Sequence, residues 1–445
     1  MSRPEPFPMA RAPDKSADAV AAPARPPLRG LLISLSIAML LSSLSTSIAN
    51  VALPALVQAF ASPFQSVQWV VIAYLMTITL VIVSVGRLGD AVGRRRLMLA
   101  GLALFTLASV ACGLSLHLWQ LIAARVLQGL GAAIMMALTL ALVSEWVPKD
   151  RTGSAMGLMG TLTATGTALG PTLGGLLIGT WGWQAIFWVQ VPLGLAALAL
   201  AFRHLPTDAV PAPPAARLDH LGAVLQALRL PRVAAGLAIS MLATAVVMAT
   251  LVVGPFYLVG ALKLDPVHMG LVMSIGPAVA ALAGAPAGRL VDRLGAHRMG
   301  MAGLGLMVLG SASLPFMASA WGVVGYAAAL ALITAGYATV QTANNTAVMA
   351  GARADQRGLV SGLLNLSRNL GLIMGASAMG AVFQFGASSA LGAGADAQAS
   401  AAGLRLTFFL AAALVLLAGA LLMLSGVASR RQAEPIHQPN AKSVN

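Results

Sequence analysis

Apolar residues recur along this chain in long blocks, not in the alternation of a half-buried strand or the narrow stripe of a surface helix. A window of about 19 residues picks out runs at 31–57, 67–86, 97–116, 119–147, 154–179 and 185–202, then at 233–261, 270–288, 299–318, 321–349, 359–387 and 403–426. Each run can carry a helix across roughly 30 Å of hydrocarbon. Segments of about ten residues with alternating polarity, the mark of a membrane barrel, do not recur. The pattern predicts an all-α integral membrane protein with twelve transmembrane helices.

Composition narrows this further. Of 445 residues, 58% are hydrophobic and 9% are charged, where a soluble domain carries about 25% charge. A single hydrophobic core stops growing near about 250–300 residues, so a chain this apolar and this long must face lipid. Cys112 is the one cysteine and allows no internal disulfide. The six histidines share no metal-ligand spacing, so neither a metal nor another cofactor is expected.

The net charge of +14 and pI near 11.4 would suggest nucleic acid in a soluble protein. Here all but four of the 27 Lys and Arg fall in the two tails and in alternate loops; the exceptions are Arg125, Lys263, Arg368 and Arg405. The positive-inside rule then puts both termini in the cytoplasm and the chain in the cytoplasmic membrane as a multi-pass protein. Topology uses up the basic residues, leaving no surface for nucleic acid. Trp69, Trp119, Trp181, Trp183 and Trp321 cluster at the expected outer ends, as an interfacial belt does.

These signals divide the chain. Residues 1–29, rich in Pro, Ala and Arg, read as a disordered cytoplasmic tail and not as a cleaved signal. Residues 30–203 hold six spans, 204–231 form a cytoplasmic linker, 232–426 hold six more, and 427–445 form a second tail. In the linker Leu218, Leu221, Leu225 and Leu228 share a helical face too short to span, which predicts a helix lying in the membrane plane. GRLGDAVGRRR from Gly86 is echoed by GRLVDRLGAHR from Gly288. Two parallel six-helix halves are the layout of a transporter that rocks about a central site.

At these residues the sequence resembles the major facilitator superfamily, over residues 30 to 426. Gly86, Leu88, Asp90, Gly93 and Arg94 fit the family's loop between helices 2 and 3, and Gly288, Leu290, Asp292 and Gly295 give a weaker copy. Glycine permits a tight reversal there, and Asp90 can accept hydrogen bonds from a helix N-terminus. The resemblance implies a conformational latch of Gly86, Asp90, Gly93, Arg94 and Asp292, closing on the start of the eleventh span near Gly358. A turn that only fixes topology would use the same residues.

Three further spans extend the resemblance. Arg125, with Gln128, Gly129 and Gly131, lies inside the fourth span, where an arginine must face the bundle or snorkel outward. The resemblance implies proton coupling for Arg125, which cannot itself titrate and would have to tune a partner; Glu145 and Asp90 are the nearest acids in the sequence. In the fifth span Gly157, Gly166, Gly170, Pro171, Gly174 and Gly175 reproduce the antiporter signature of drug and metabolite exporters. Close helix packing alone would also favour them. The first span ends LSTSIANVALP, resembling the multidrug-exporter pattern with Ser45 in place of an aspartate and with Asn50, Leu53 and Pro54 in register.

Polar residues at membrane depth are expensive and should turn inward. Asn50, Tyr74, Thr77, Gln341, Asn344, Asn345, Asn365 and Arg368 are therefore candidates for a substrate cavity, with Tyr257 beside Pro255 a further one. Two embedded arginines and no central carboxylate favour neutral or anionic cargo. The resemblance implies a monomeric secondary transporter, not an enzyme, whose partners are a small-molecule substrate, protons and the lipid bilayer. It would export drug-like molecules or metabolites by proton antiport and alternating access; uniport or uptake of an organic anion or other metabolite is the alternative. No nucleotide-binding loop of the G-x-x-x-x-G-K-[ST] kind is present to drive it otherwise.

Overall fold

In the computed structural model residues 28–148, 151–206, 230–351, 357–389 and 396–433 are described, and among them every regular element is helical. The helices are α1 (Leu28–Ala59), α2 (Phe64–Val92), α3 (Arg94–Gly113), α4 (Leu118–Trp146), α5 (Thr152–Trp181), α6 (Ala185–Trp188) and α7 (Gln190–His204). They are followed by α8 (Pro231–Gly260), α9 (Pro266–Leu294), α10 (Ala296–Gly351), α11 (Arg357–Met374), α12 (Gly380–Ser389) and α13 (Asp396–Ala433). A π turn, Gly375–Met379, joins α11 to α12. The linker helix expected at 218–228 and most of both tails lie outside the described residues.

Ten helical stretches among the described residues are long and apolar enough to cross a membrane. Two features account for the difference from twelve apolar runs. The fifth run is thick with Gly and Thr, which lower its hydropathy although α5 itself forms over 30 residues. The ninth and tenth runs are continuous in α10, broken only at Gly322 (φ 56°, ψ −128°). That break reverses the chain. Gly303 lies against Gly336, Gly310 against Ile333 and Ala329, and Gly325 against Met317, the register of an antiparallel hairpin. The sixth run is also divided, since Val189 interrupts it between α6 and α7.

The repeated motif has a repeated structure. Gly93 (φ 102°, ψ 129°) closes α2 and Gly295 (φ 87°, ψ 146°) closes α9. Both stand in a backbone region that a Cβ disfavours, and each turns the chain straight into the next helix.

Packing sorts the helices into two groups. In the first, α1 lies along α5 and α7 while α4 packs on α2 and α3; in the second, α8 lies along α11 and α13 while α10 packs on α9 and α13. At one end of the first group Gly30 meets His204, and Arg95 donates to Phe202 O at 2.7 Å with its guanidinium 5.6 Å from the Phe202 ring. The corresponding end of the second group gathers Arg232, His297 and Arg298 around a cavity of about 910 Å³. We call this the basic end. At the opposite end Asp265 caps α9, accepting from the backbone N–H groups of Val267 and His268. The His268 side chain, then those backbone donors, hold the Asp265 carboxyl below its ordinary range. Trp119, Trp181 and Trp321 are exposed there as expected, whereas Trp183 is buried, packed 5.2 Å from Phe60 and 6.3 Å from Phe187.

Candidate functional site

The first group of helices encloses a polar network around Arg125, which is 0% exposed. Its Nε donates to Val70 O at 2.9 Å, and Nη1 donates to Ser45 Oγ at 2.9 Å and to Gln128 Oε1 at 2.6 Å. The guanidinium carbon sits 4.0 Å from the centre of the Tyr74 ring, whose hydroxyl donates to Ser42 O at 3.0 Å. Gln128 Nε2 passes the network on to Ser109 Oγ at 2.8 Å and Gln190 Oε1 at 3.3 Å. Five helices, α1, α2, α3, α4 and α7, are thus tied through one cation. Every partner named is neutral, so carbonyl, hydroxyl and amide dipoles and one ring face balance the charge.

Arg125 and Glu145 are not brought together. They lie twenty positions apart on one helix, roughly 30 Å by helical rise. Glu145 instead accepts from Arg94 Nη1 at 2.8 Å, across the basic end. Gly86, Asp90 and Gly157 lie within helices, and their surroundings lie outside what is described. Asp292 is exposed at the basic end of α9.

The glycines of α5 face two ways. Gly166, Gly170 and Gly174 lie against α1, at Leu40 and Ser43, Ser47, and Ile48, and Ser47 Oγ donates to Thr167 O at 2.8 Å. Gly175 instead meets α9 at Pro266 and Gly270, and the carbonyl of Pro171 abuts Gly270. A Cβ on Gly175 would stand 2.9 Å from Gly270 Cα, so these backbones meet with no side chain between them. Thr172 and Ser274 share a hydroxyl hydrogen bond beside this contact.

Away from the basic end, two more contacts join the groups. Phe64 packs 4.4 Å from Phe256 and 6.0 Å from Phe383, ring centre to ring centre. Gln68 Nε2 donates to Ala376 O, within the π turn, at 2.8 Å. Gly380 leaves room there for the Gln68 amide, which a Cβ would displace.

The second group carries a polar cluster of its own. Gln341 Nε2 donates to Tyr337 OH at 2.9 Å and to Thr244 Oγ1 at 3.2 Å. Asn344 Nδ2 donates to Gly236 O at 2.9 Å. Arg368 Nη2 donates to Asn365 Oδ1 at 3.1 Å, while Asn365 Nδ2 donates to Ser361 O within its own helix. Among the expected cavity residues, Asn50 is fully buried and bonds back to Thr46 O at 3.0 Å, and Thr77 bonds Ala73 O in its own helix. Tyr257 is buried and stacked 6.0 Å from Tyr326. Gln68, Ser109, Gln190, Thr244 and Tyr337 escaped the sequence reading. Gln68 and Gln190 were detectable as amides inside apolar runs; the others needed the packing.

Long apolar helices in two groups around buried polar clusters define a multi-pass membrane transporter fold. Residues 35–376 match the model of the Major Facilitator Superfamily, and the chain belongs to that family. The Multidrug resistance protein Stp of Mycobacterium tuberculosis (strain CDC 1551 / Oshkosh) is 31% identical over 408 residues, covering 79% of this chain and 75% of that protein. The Riboflavin transporter RibZ of Clostridioides difficile (strain 630) is 37% identical over 176 residues, a match spanning 40% of this chain and only 39% of RibZ. Among solved structures, a bacterial homolog to the human lysosomal transporter Spinster, inward-facing and occupied, superposes with a TM-score of 0.75 at 15% identity. That match covers 89% of this chain and 96% of the other.

Proposed function

We propose that this protein is a secondary exporter of small neutral or anionic molecules, working by alternating access across a cytoplasmic membrane. The observation that carries the proposal is where the two helix groups touch. The aromatic trio, the Gln68–Ala376 bond and the glycine contact of α5 with α9 all lie away from the basic end. A carrier loading from the cytoplasm closes its outer end in this way. The proposal includes twelve crossings, counting α5, both limbs of α10 and α6–α7 as one, with the basic end and both termini in the cytoplasm. It also includes a latch of Gly86, Asp90, Gly93, Arg94 and Asp292, with Arg94 held by Glu145 while the inner side is open. A monomer suffices, because one chain supplies both groups. The multidrug relative and the glycine signature of α5 favour export, and proton-motive force is the proposed drive.

A second reading is uniport or uptake of an organic anion. The specific observation in its favour is Ser45, which gives Arg125 a hydroxyl where the exporter pattern has an acid. One experiment separates the two. In everted vesicles, dyes and antibiotics of each charge class are offered with the pH gradient intact or collapsed. Export predicts accumulation of neutral or anionic compounds that disappears with the gradient. Equilibration to the same level in both conditions supports the uniporter, and accumulation confined to cations defeats the cargo assignment.

A further inference from the structure

Near the basic end, α10 and α11 are each tied to α8 by a side chain that donates to its backbone. Asn344 Nδ2 from α10 donates to Gly236 O, and Ser367 Oγ from α11 donates to Leu237 O. Because these carbonyls are consecutive, the two pins stand at one depth. Each is followed by a polar residue, Asn345 and Arg368, turned about 100° around its helix. The second limb of α10 and α11 are successive antiparallel helices packed side by side on α8, where Thr244 meets Gln341 of α10 and Gly371 of α11. Viewed from one end their 100° turns have opposite hand, so Asn345 and Arg368 turn toward each other between α10 and α11. Gln341 lies one turn from Asn345, roughly 6 Å along α10.

All three carry unused hydrogen-bonding atoms. Arg368 Nε, Asn345 Oδ1 and Gln341 Oε1 are buried without a partner among the described residues. The Gln341 amide is held in this orientation: Thr244 gives its own proton to Ser240 O, so it can only accept from Gln341 Nε2. One cationic fork and two acceptors are thus left unmatched between α10 and α11. Such a set is complementary to an acid and a neighbouring donor.

We propose that the groove between α10 and α11 beside α8 is the cargo site, and that the cargo is an organic acid with an N–H or O–H group about one helical turn from the acid. Carboxylate, sulfonate or phosphate oxygens take the Arg368 guanidinium, and the donor takes Gln341 Oε1, one turn away. The inference rests on the transporter reading above and adds its substrate class.

The test measures binding to the purified full chain in detergent, by ligand-induced thermal stabilisation. The probes are 4-hydroxybenzoate, its methyl ester, which lacks the charge, and 4-methoxybenzoate, which lacks the donor. The hydroxy acid should bind at least tenfold more tightly than either analogue, a comparison that needs no variant. Arg368→Gln should weaken it at least tenfold, with partial recovery in Arg368→Lys. Gln341→Leu should erase the preference for hydroxyl over methoxy while leaving acid binding. No binding by either acid, equal binding of the ester, or an unchanged Arg368→Gln protein would overturn the proposal. Binding without energised accumulation in vesicles would retire export and leave this site standing. Accumulation indifferent to Arg368→Gln would do the reverse.

Discussion

Arg125 shows how a membrane protein can keep a charge without an acid. Burying an ion costs several kcal/mol after relaxation. The bonds to Val70 O, Ser45 Oγ and Gln128 Oε1, each worth about 1.5–3 kcal/mol when one partner is charged, offset that cost, as does the face of Tyr74. The guanidinium is essential because its donors diverge in a plane toward three helices, which the single nitrogen of lysine cannot imitate. Arg125→Lys should therefore orphan one or two buried acceptors and cost about 2–4 kcal/mol, read as a lower unfolding midpoint in detergent. An unchanged midpoint would mean that the fork geometry carries no stability. Little of this network was legible beforehand. The arginine announced itself as a charge inside an apolar run, but Ser45 is 80 positions away and Gln190 is 62 from Gln128. Periodicity within one helix says nothing about which helix comes alongside.

Helix α5 was more legible, because its spacing is itself the structure. Gly166, Gly170 and Gly174 recur every four residues and therefore share one face, which lies on α1, while Gly175 is turned one residue further, onto α9. The sequence could mark the stripe but not the second neighbour. The two contacts should respond differently to a methyl group. Gly170→Ala strikes Ser47 inside one helix group and should lower stability in every state, by about 1–3 kcal/mol as an overpacked site does. Gly175→Ala strikes backbone across the groups, so only the state in which α5 touches α9 is penalised. A penalty of about 1.4 kcal/mol changes the ratio of two conformers tenfold. Labelling of a reporter cysteine at Thr172 should accordingly rise in Gly175→Ala and stay level in Gly170→Ala. Equal labelling in both would place the α5–α9 contact among the static ones.

At the scale of the molecule, the repeat in the sequence became a repeat in space: Gly93 and Gly295 turn the chain with nearly the same dihedrals. The relation between the halves had no such trace. Gln68 meets Ala376 across 308 positions, and the Phe64, Phe256 and Phe383 rings come from three distant runs. Such contacts depend on how the halves are placed against each other, so no local pattern can encode them. That same property makes them testable as moving parts. Thr172 and Ser274 touch through their hydroxyls, one on each side of the divide, and Cys112 is buried and is the single native thiol to remove. In a Cys112→Ala background, Thr172→Cys with Ser274→Cys should oxidise readily to a disulfide that holds this end shut. If transport needs that end to open, the oxidised protein should be inactive in vesicles and recover on reduction, while each single cysteine remains active throughout. Full transport by the cross-linked protein would show that cargo does not leave between α5 and α9, and the rocking of two halves would have to give way to a path inside one of them.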